Sequence, residues 1–151
     1  MHQGMVQMEG AALEGFQPYA LTSAIVGAQL ILLAFWTGTV RAMKKQYVIP
    51  EDAVLNKSTR ADGEHPDTLR AGRAHMNALE NAVPFFIIGG LYVVTGASKS
   101  SAQIYCYTFL AMRLLHSVFY LAGKQPFRSI TFGVGALAVL GMAYHVIRAL
   151  V

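Results

Sequence analysis

Charge is scarce in this sequence. Of its 151 residues, 13% are Asp, Glu, Lys or Arg, about half the share usual in soluble domains, while 54% are apolar. Cysteine is nearly absent. The one copy, Cys106, excludes an internal disulfide and a paired-thiolate metal site, and its apolar neighbours make it a buried, inert thiol. No His, Cys or carboxylate spacing suits zinc or a pair of metal ions, so no metal is expected, and there is no glycine-rich phosphate loop. Residues 1–18 contain Glu9 and Glu14 but no Lys or Arg, so the basic start of a cleaved signal is missing. Internal repeats and low-complexity tracts are also missing. The net charge of +4 comes without a basic helix or an aromatic RNA-binding pattern, so no nucleic-acid partner is expected.

What the sequence does contain is four long apolar stretches. Tyr19–Val40 and Asn81–Ser98 carry no charge, Ser101–Gly123 is interrupted only by Arg113 and His116, and Ser129–Ile147 only by His145. A membrane-crossing helix needs about 20 mostly apolar residues, and uncharged runs of that length rarely face water. The expected fold is an all-α integral membrane domain spanning residues 1–151. Its four-transmembrane-helix bundle has helices near 18–47, 68–97, 100–123 and 126–150, with a polar loop over 48–67. Asp67 and Thr68 are candidate N-caps of the second helix. Arg41, Lys44, Lys45, Lys57, Arg60, Arg70 and Arg73 surround the first loop, and Lys124 and Arg128 flank the third. The positive-inside rule then puts these loops in the cytoplasm and both termini outside, a bias that a bacterial inner membrane and an endoplasmic-reticulum membrane both satisfy.

The few polar residues of the spans are clustered. Arg73, Asn77 and Glu80 follow an i, i+4, i+7 pattern and share one helical face just before the chain turns wholly apolar. Ionisable groups so near a membrane core are costly, which makes them candidates for function. Pro84 deprives the Glu80 carbonyl of its usual partner, so a substitute donor is expected beside this triad unless the proline simply kinks the helix. Arg113, His116 and Tyr120 make a second stripe. Pro126-Phe127-Arg128-Ser129 opens the fourth span, with Pro126 suited to the first helical turn and the free N–H groups after it to an anion. Together with Arg41 at the end of span one, these residues describe a cationic pocket with one interior carboxylate on the cytoplasmic side. Glutathione, with two carboxylates, an amine and a thiol, fits such a pocket. A guanidinium and a hydroxyl near its sulfur would favour the thiolate; Arg128 is the first candidate, Ser129 a helper and Tyr120 the rival. The thiolate would attack an apolar electrophile arriving from the bilayer. His75 lies on the opposite face and reads as structural. Lys44, Lys45, Lys57 and Arg60 read as headgroup or solvent contacts, and His145 and Arg148 as interfacial.

Arg73-Ala74-His75-Met76-Asn77-Ala78-Leu79-Glu80-Asn81 followed by Pro84-Phe85 resembles the second-helix signature of the MAPEG family, the membrane-associated proteins of eicosanoid and glutathione metabolism. Pro50-Glu51-Asp52, Arg113, His116, Tyr120-Leu121 and Pro126-Phe127-Arg128-Ser129 extend the resemblance over about residues 20 to 150, and its nearest branch is that of microsomal glutathione transferase 1 and prostaglandin E synthase. The resemblance implies a homotrimer with glutathione bound between subunits. By motif its contacts would be Arg41, Arg73, Asn77, Glu80, Arg113, His116, Tyr120, Arg128 and Ser129, with Glu80 on the amine, arginines on the carboxylates and Arg128 stabilising the thiolate. Phe132 and Ala136 stand where the prostaglandin synthase has tyrosine and glutamine, while Asp52 and Ser129 are kept. This combination favours a broad transferase, with lipid hydroperoxide reduction as a further activity. The rival readings are a glutathione-dependent isomerase acting on a lipid endoperoxide and a non-enzymatic lipid-binding scaffold of the same fold. A transporter is disfavoured by the lack of a duplicated half.

Overall fold

The computed structural model describes residues 14–151. Residues 1–13, with Glu9 and most of the stretch read as lacking a basic signal, lie outside the described residues. The described chain forms five helices: α1 (Phe16–Lys44), α2 (Pro50–Leu55), α3 (Pro66–Val94), α4 (Lys99–Leu121) and α5 (Phe127–Leu150). Four of them are long and apolar enough to cross a membrane. At about 1.5 Å per residue, even the shortest of these exceeds the ~30 Å of a bilayer's hydrocarbon core.

The helix ends differ from expectation for local reasons. The first span stops at Lys44 rather than residue 47, because Lys45 takes a left-handed φ of 51° and turns its N–H back to the Ala42 carbonyl. The polar loop holds a short helix, α2, started by Pro50, and is closed by a bridge between Tyr47 and Arg60. Helix α3 is capped not by Asp67 or Thr68 but by His65, whose Nδ1 accepts the Asp67 N–H at 3.1 Å. Pro66 follows at the first helical position, where its missing N–H has no cost. Helix α3 thus begins close to where composition placed it, but on a cap chosen by side-chain reach.

Packing of the bundle is set by α3. Its inward side reads Ala71, Ala74, Ala78, Ala82, Phe85, Gly89, a run of small residues at helical spacing. Small side chains let neighbouring helices approach, which matters in lipid, where van der Waals contact replaces the hydrophobic effect as the driving force. The one large member, Phe85, stacks flat on Phe109 of α4, with ring centroids 4.3 Å apart. Val26, Cys106 and Met142 complete the buried cluster, so the lone thiol is a packing group as expected. Gln29 of α1 is buried and donates to the Arg113 carbonyl (3.0 Å) and the Ser117 hydroxyl (2.7 Å) of α4. The outer faces are apolar instead, with Leu32, Phe35, Ile87 and Leu137 all at least 60% exposed, the opposite of a helical bundle in water.

Pro84 does not end α3, which continues to Val94. The donor added near the break comes from Tyr19 of α1, whose hydroxyl reaches the carbonyl of Phe86 at 2.8 Å rather than that of Glu80. The Tyr19 ring lies where Gly89 and Gly90 leave room for it. A Cβ on Gly89 would sit 3.0 Å from two of its ring carbons, backbone and ring both being held. Replacing Gly89 with Val is therefore expected to displace Tyr19 and lower stability in detergent by about 1–3 kcal/mol, read as a lower thermal midpoint. An unchanged midpoint would show that α1 and α3 are not held by this contact.

Candidate active site

The N-terminal turn of α5 and the C-terminal half of α4 meet beside the polar face of α3. Asn77, His116, Tyr120, Arg128, Ser129 and Phe132 line an open cleft of about 290 Å³ there. Five of the nine residues singled out in the sequence are thus brought to one place. The Arg128 guanidinium lies over the Tyr120 ring, 4.6 Å from its centroid, a cation–π contact that fixes the direction of the charge. The amide of Gln125 sits within reach of both Arg128 and Ser129. With its oxygen toward the guanidinium it accepts from Arg128 Nε at 3.2 Å and donates to Ser129 Oγ at 3.1 Å. His116 is held by Nδ1, 2.9 Å from the Arg128 carbonyl, and its ring is 5.7 Å from that of Tyr120. Asn77 Oδ1 and His116 Nε2 are buried without a hydrogen-bond partner among the described residues.

The expected anion seat on free backbone N–H groups is not present in that form. Pro126 caps α5 from outside the helix, the Arg128 N–H bonds to the Lys124 carbonyl, and those of Ser129 and Ile130 bond to Pro126. Tightening of the first turn has already used these donors. The positive charge in the cleft therefore comes from the Arg128 side chain.

The other four residues take different places. Arg73 and Glu80 are exposed on the same face of α3 as Asn77 but are not in the lining of the cleft. Arg41, at the end of α1, is paired with Glu64 of the polar loop: Nε donates to Oε1 at 3.0 Å and Nη2 bonds the same oxygen. Arg113 is 2% exposed and lies behind the cleft, its guanidinium 5.5 Å from the Phe132 ring centroid and 6.0 Å from that of Phe109. Gly135 of α5 packs beside Arg113, where a Cβ would stand 3.4 Å from Arg113 Nε, an ordinary contact distance. The Arg113 side-chain nitrogens have no protein hydrogen bond among the described residues.

Two contributors to the site, Gln125 and Glu64, were not singled out by sequence. Gln125 directly precedes the Pro126-Phe127-Arg128-Ser129 run and could have been found as its i−4 neighbour of Ser129. Glu64 carries no local signal, because its partner is 23 residues away.

Chemically, the cleft offers one oriented guanidinium, two hydroxyls and an imidazole, with the Glu80 carboxylate and the Arg73 guanidinium exposed on the adjoining face of α3. Such a set binds a small anion and lowers the pKa of an acid placed against Arg128. The model of the MAPEG family matches residues 19–148 of this chain. Microsomal glutathione S-transferase 1 of Homo sapiens is 33% identical over 143 residues, covering 89% of this chain and 90% of its own, and that of Rattus norvegicus is 35% identical over 149 residues, covering 93% and 92%. Prostaglandin E synthase of Homo sapiens is 32% identical over 141 residues, covering 93% and 91%.

The bond from His116 to the Arg128 carbonyl ties α4 to the start of α5. Replacing His116 with Phe is expected to cost about 1 kcal/mol, measured as a lower unfolding midpoint with unchanged helix content by circular dichroism. A midpoint equal to that of the parent protein would mean that the cleft does not rely on this tie.

Proposed function

The chain belongs to the MAPEG family, and on that premise we propose that it is a membrane-bound glutathione transferase. Membership and the four spanning helices make it an integral, multi-pass membrane protein. The similarity to glutathione S-transferases and prostaglandin E synthases supports a glutathione-dependent enzyme. The observation that carries the transferase reading is the convergence of Asn77, His116, Tyr120, Arg128 and Ser129 on one cleft, with Arg128 oriented by Tyr120 and Gln125.

In this reading the glutathione sulfur lies against Arg128. A free thiol has a pKa near 8.5 and is only partly ionised at neutral pH, and the fixed guanidinium favours the thiolate. The hydroxyls of Ser129 and Tyr120 can each donate to the sulfur. The proton leaves to water, and no general base is then needed at the moment of attack. The sulfur forms a bond to the electrophilic carbon of an apolar substrate while the bond to its leaving group breaks and the leaving group takes the electron pair. Glu80, exposed on the same face of α3 as Asn77, takes the glutathione amine. Arg73 and Arg41 take its carboxylates, the Asn77 and His116 side chains form part of the wall, and Arg113 contributes positive potential from behind Phe132.

Arg41, Arg73 and Glu80 are not in the lining of the cleft within one chain, which supports a site completed between subunits of a homotrimer. The basic residues near the cleft ends of α1, α3 and α5 support a cleft that faces the cytoplasm, in a bacterial inner membrane or the endoplasmic reticulum. A glutathione-dependent isomerase is the second reading, favoured by the similarity to prostaglandin E synthases. Phe132 in the cleft wall has no hydroxyl to offer an endoperoxide, which favours the transferase. Reduction of lipid hydroperoxides would use the same thiolate.

Glutathione conjugation of chlorodinitrobenzene by detergent-purified protein tests the reading. Replacing Arg128 with Ala is expected to lower kcat/KM about a hundredfold or more, as for loss of a group that stabilises charge at the reacting atom. Turnover unaffected by the change would move thiolate stabilisation to Tyr120 and Ser129. Isomerisation of prostaglandin H without glutathione consumption, in the absence of conjugation, would establish the second reading instead. Glu64 occupies the fork of Arg41 that a glutathione carboxylate would need. Glu64→Gln is expected to lower the KM for glutathione about two- to fivefold with kcat unchanged, the range of a part-exposed ion pair. A KM that stays constant would place Arg41 outside the binding site.

A further inference from the structure

A second cleft lies where α1, α3 and α4 come together, and it shares no residue with the one described above. Its volume is about 280 Å³, and Trp36, Met43, Lys44, Asp67, Arg70 and Leu121 are in its wall. It is amphipathic. Lys44 Nζ bonds Asp67 Oδ2 at 2.8 Å, while Arg70 forms no ion pair among the described residues. Both signs of charge thus stand at one mouth, with a guanidinium left over.

Trp36 and Leu121 also belong to a longer groove of about 500 Å³ between α1 and α4. Ile25, Leu32, Leu114 and Val118 give it apolar walls. Its polar side chains Gln29 and Ser117 are bonded to each other, and Gln29 also to a backbone carbonyl, so these two groups are satisfied without a ligand. From Ile25 to Trp36 the helix rises about 16 Å, close to half of the ~30 Å hydrocarbon thickness. The groove is therefore one leaflet deep, and its mouth at the basic end of α1 is charged.

We propose that this cleft and groove together hold one phosphatidylethanolamine molecule as a specific ligand, its phosphate on Arg70 and Lys44, its ammonium on Asp67 and one acyl chain along α1 and α4. The head group matches because it carries both charges as hydrogen-bonding groups. Phosphatidylglycerol offers the phosphate but no cation for Asp67. The quaternary ammonium of phosphatidylcholine has no N–H to donate to a carboxylate. Lipid that merely surrounds the protein would need none of these three side chains.

The test is native mass spectrometry of the delipidated full-length protein with dioleoyl phosphatidylethanolamine, phosphatidylcholine and phosphatidylglycerol added in turn. One phosphatidylethanolamine per chain is expected, with about tenfold higher affinity than the other two lipids, the scale of one charge-assisted hydrogen bond. Asp67→Asn is expected to abolish the preference over phosphatidylcholine, and Arg70→Ala to weaken retention of all three. Leu114→Trp, which fills the groove at a lipid-facing position, is expected to prevent retention while the unfolding midpoint and oligomeric state are kept. Equal retention of the three lipids would show a plain lipid annulus and overturn the proposal. Preference for phosphatidylglycerol would reduce the cleft to a basic patch. Loss of the oligomer in Leu114→Trp would show that a second copy of the chain covers the groove, and would likewise overturn it.

Discussion

Hydrocarbon offers no partner to a backbone N–H or C=O, so each long segment of this chain must satisfy its peptide groups within itself. That constraint makes α1, α3, α4 and α5 helices and keeps them helical even through Pro84. It also decides where irregular backbone occurs. The left-handed turn at Lys45, the Tyr47–Arg60 bridge and the His65 cap all gather in the polar segment between α1 and α3. Because backbone polarity is spent inside each helix, the helices can be joined only by side chains. The small inward face of α3, the Phe85–Phe109 stack and the Gln29 bridge supply that joining.

The same scarcity of partners makes each charged group near the bilayer informative. Arg128 is held over Tyr120, Arg41 in the carboxylate of Glu64, Lys44 against Asp67, and Arg113 between two phenyl rings. These are three ways of keeping a cation in an apolar bundle, by an aromatic face, by a carboxylate and by enclosure, and they differ in how easily the cation is released. Arg128 lines an open cleft, whereas Arg113 is enclosed. Arg41 lies between these extremes, since an exchange of one carboxylate for another changes little in charge or geometry.

Helices α3 and α4 serve both clefts, with different faces. Asn77, His116 and Tyr120 look toward α5, while Asp67, Arg70 and Leu121 look toward α1. A tripeptide thiol from water and a lipid from the membrane would therefore approach the same pair of helices from different sides. The bundle needs no extra domain for this, because a helix has more than one face and only one of them is required for packing.

The four spans, their order and the family resemblance were legible in the sequence, because hydropathy and the Arg73–Asn77–Glu80 spacing are local properties of one segment. Local, too, was the Pro126–Ser129 run that ends in the cleft. Tertiary structure alone decided that Arg113 is buried behind Phe132 and that Arg41 is taken by Glu64. It also decided which face of α1 meets α4 and so created the second cleft. Periodicity says that residues share a face but not what that face touches. In this protein the partners are set by the close approach of helices from distant parts of the chain, and by the few polar groups that must find each other when they do.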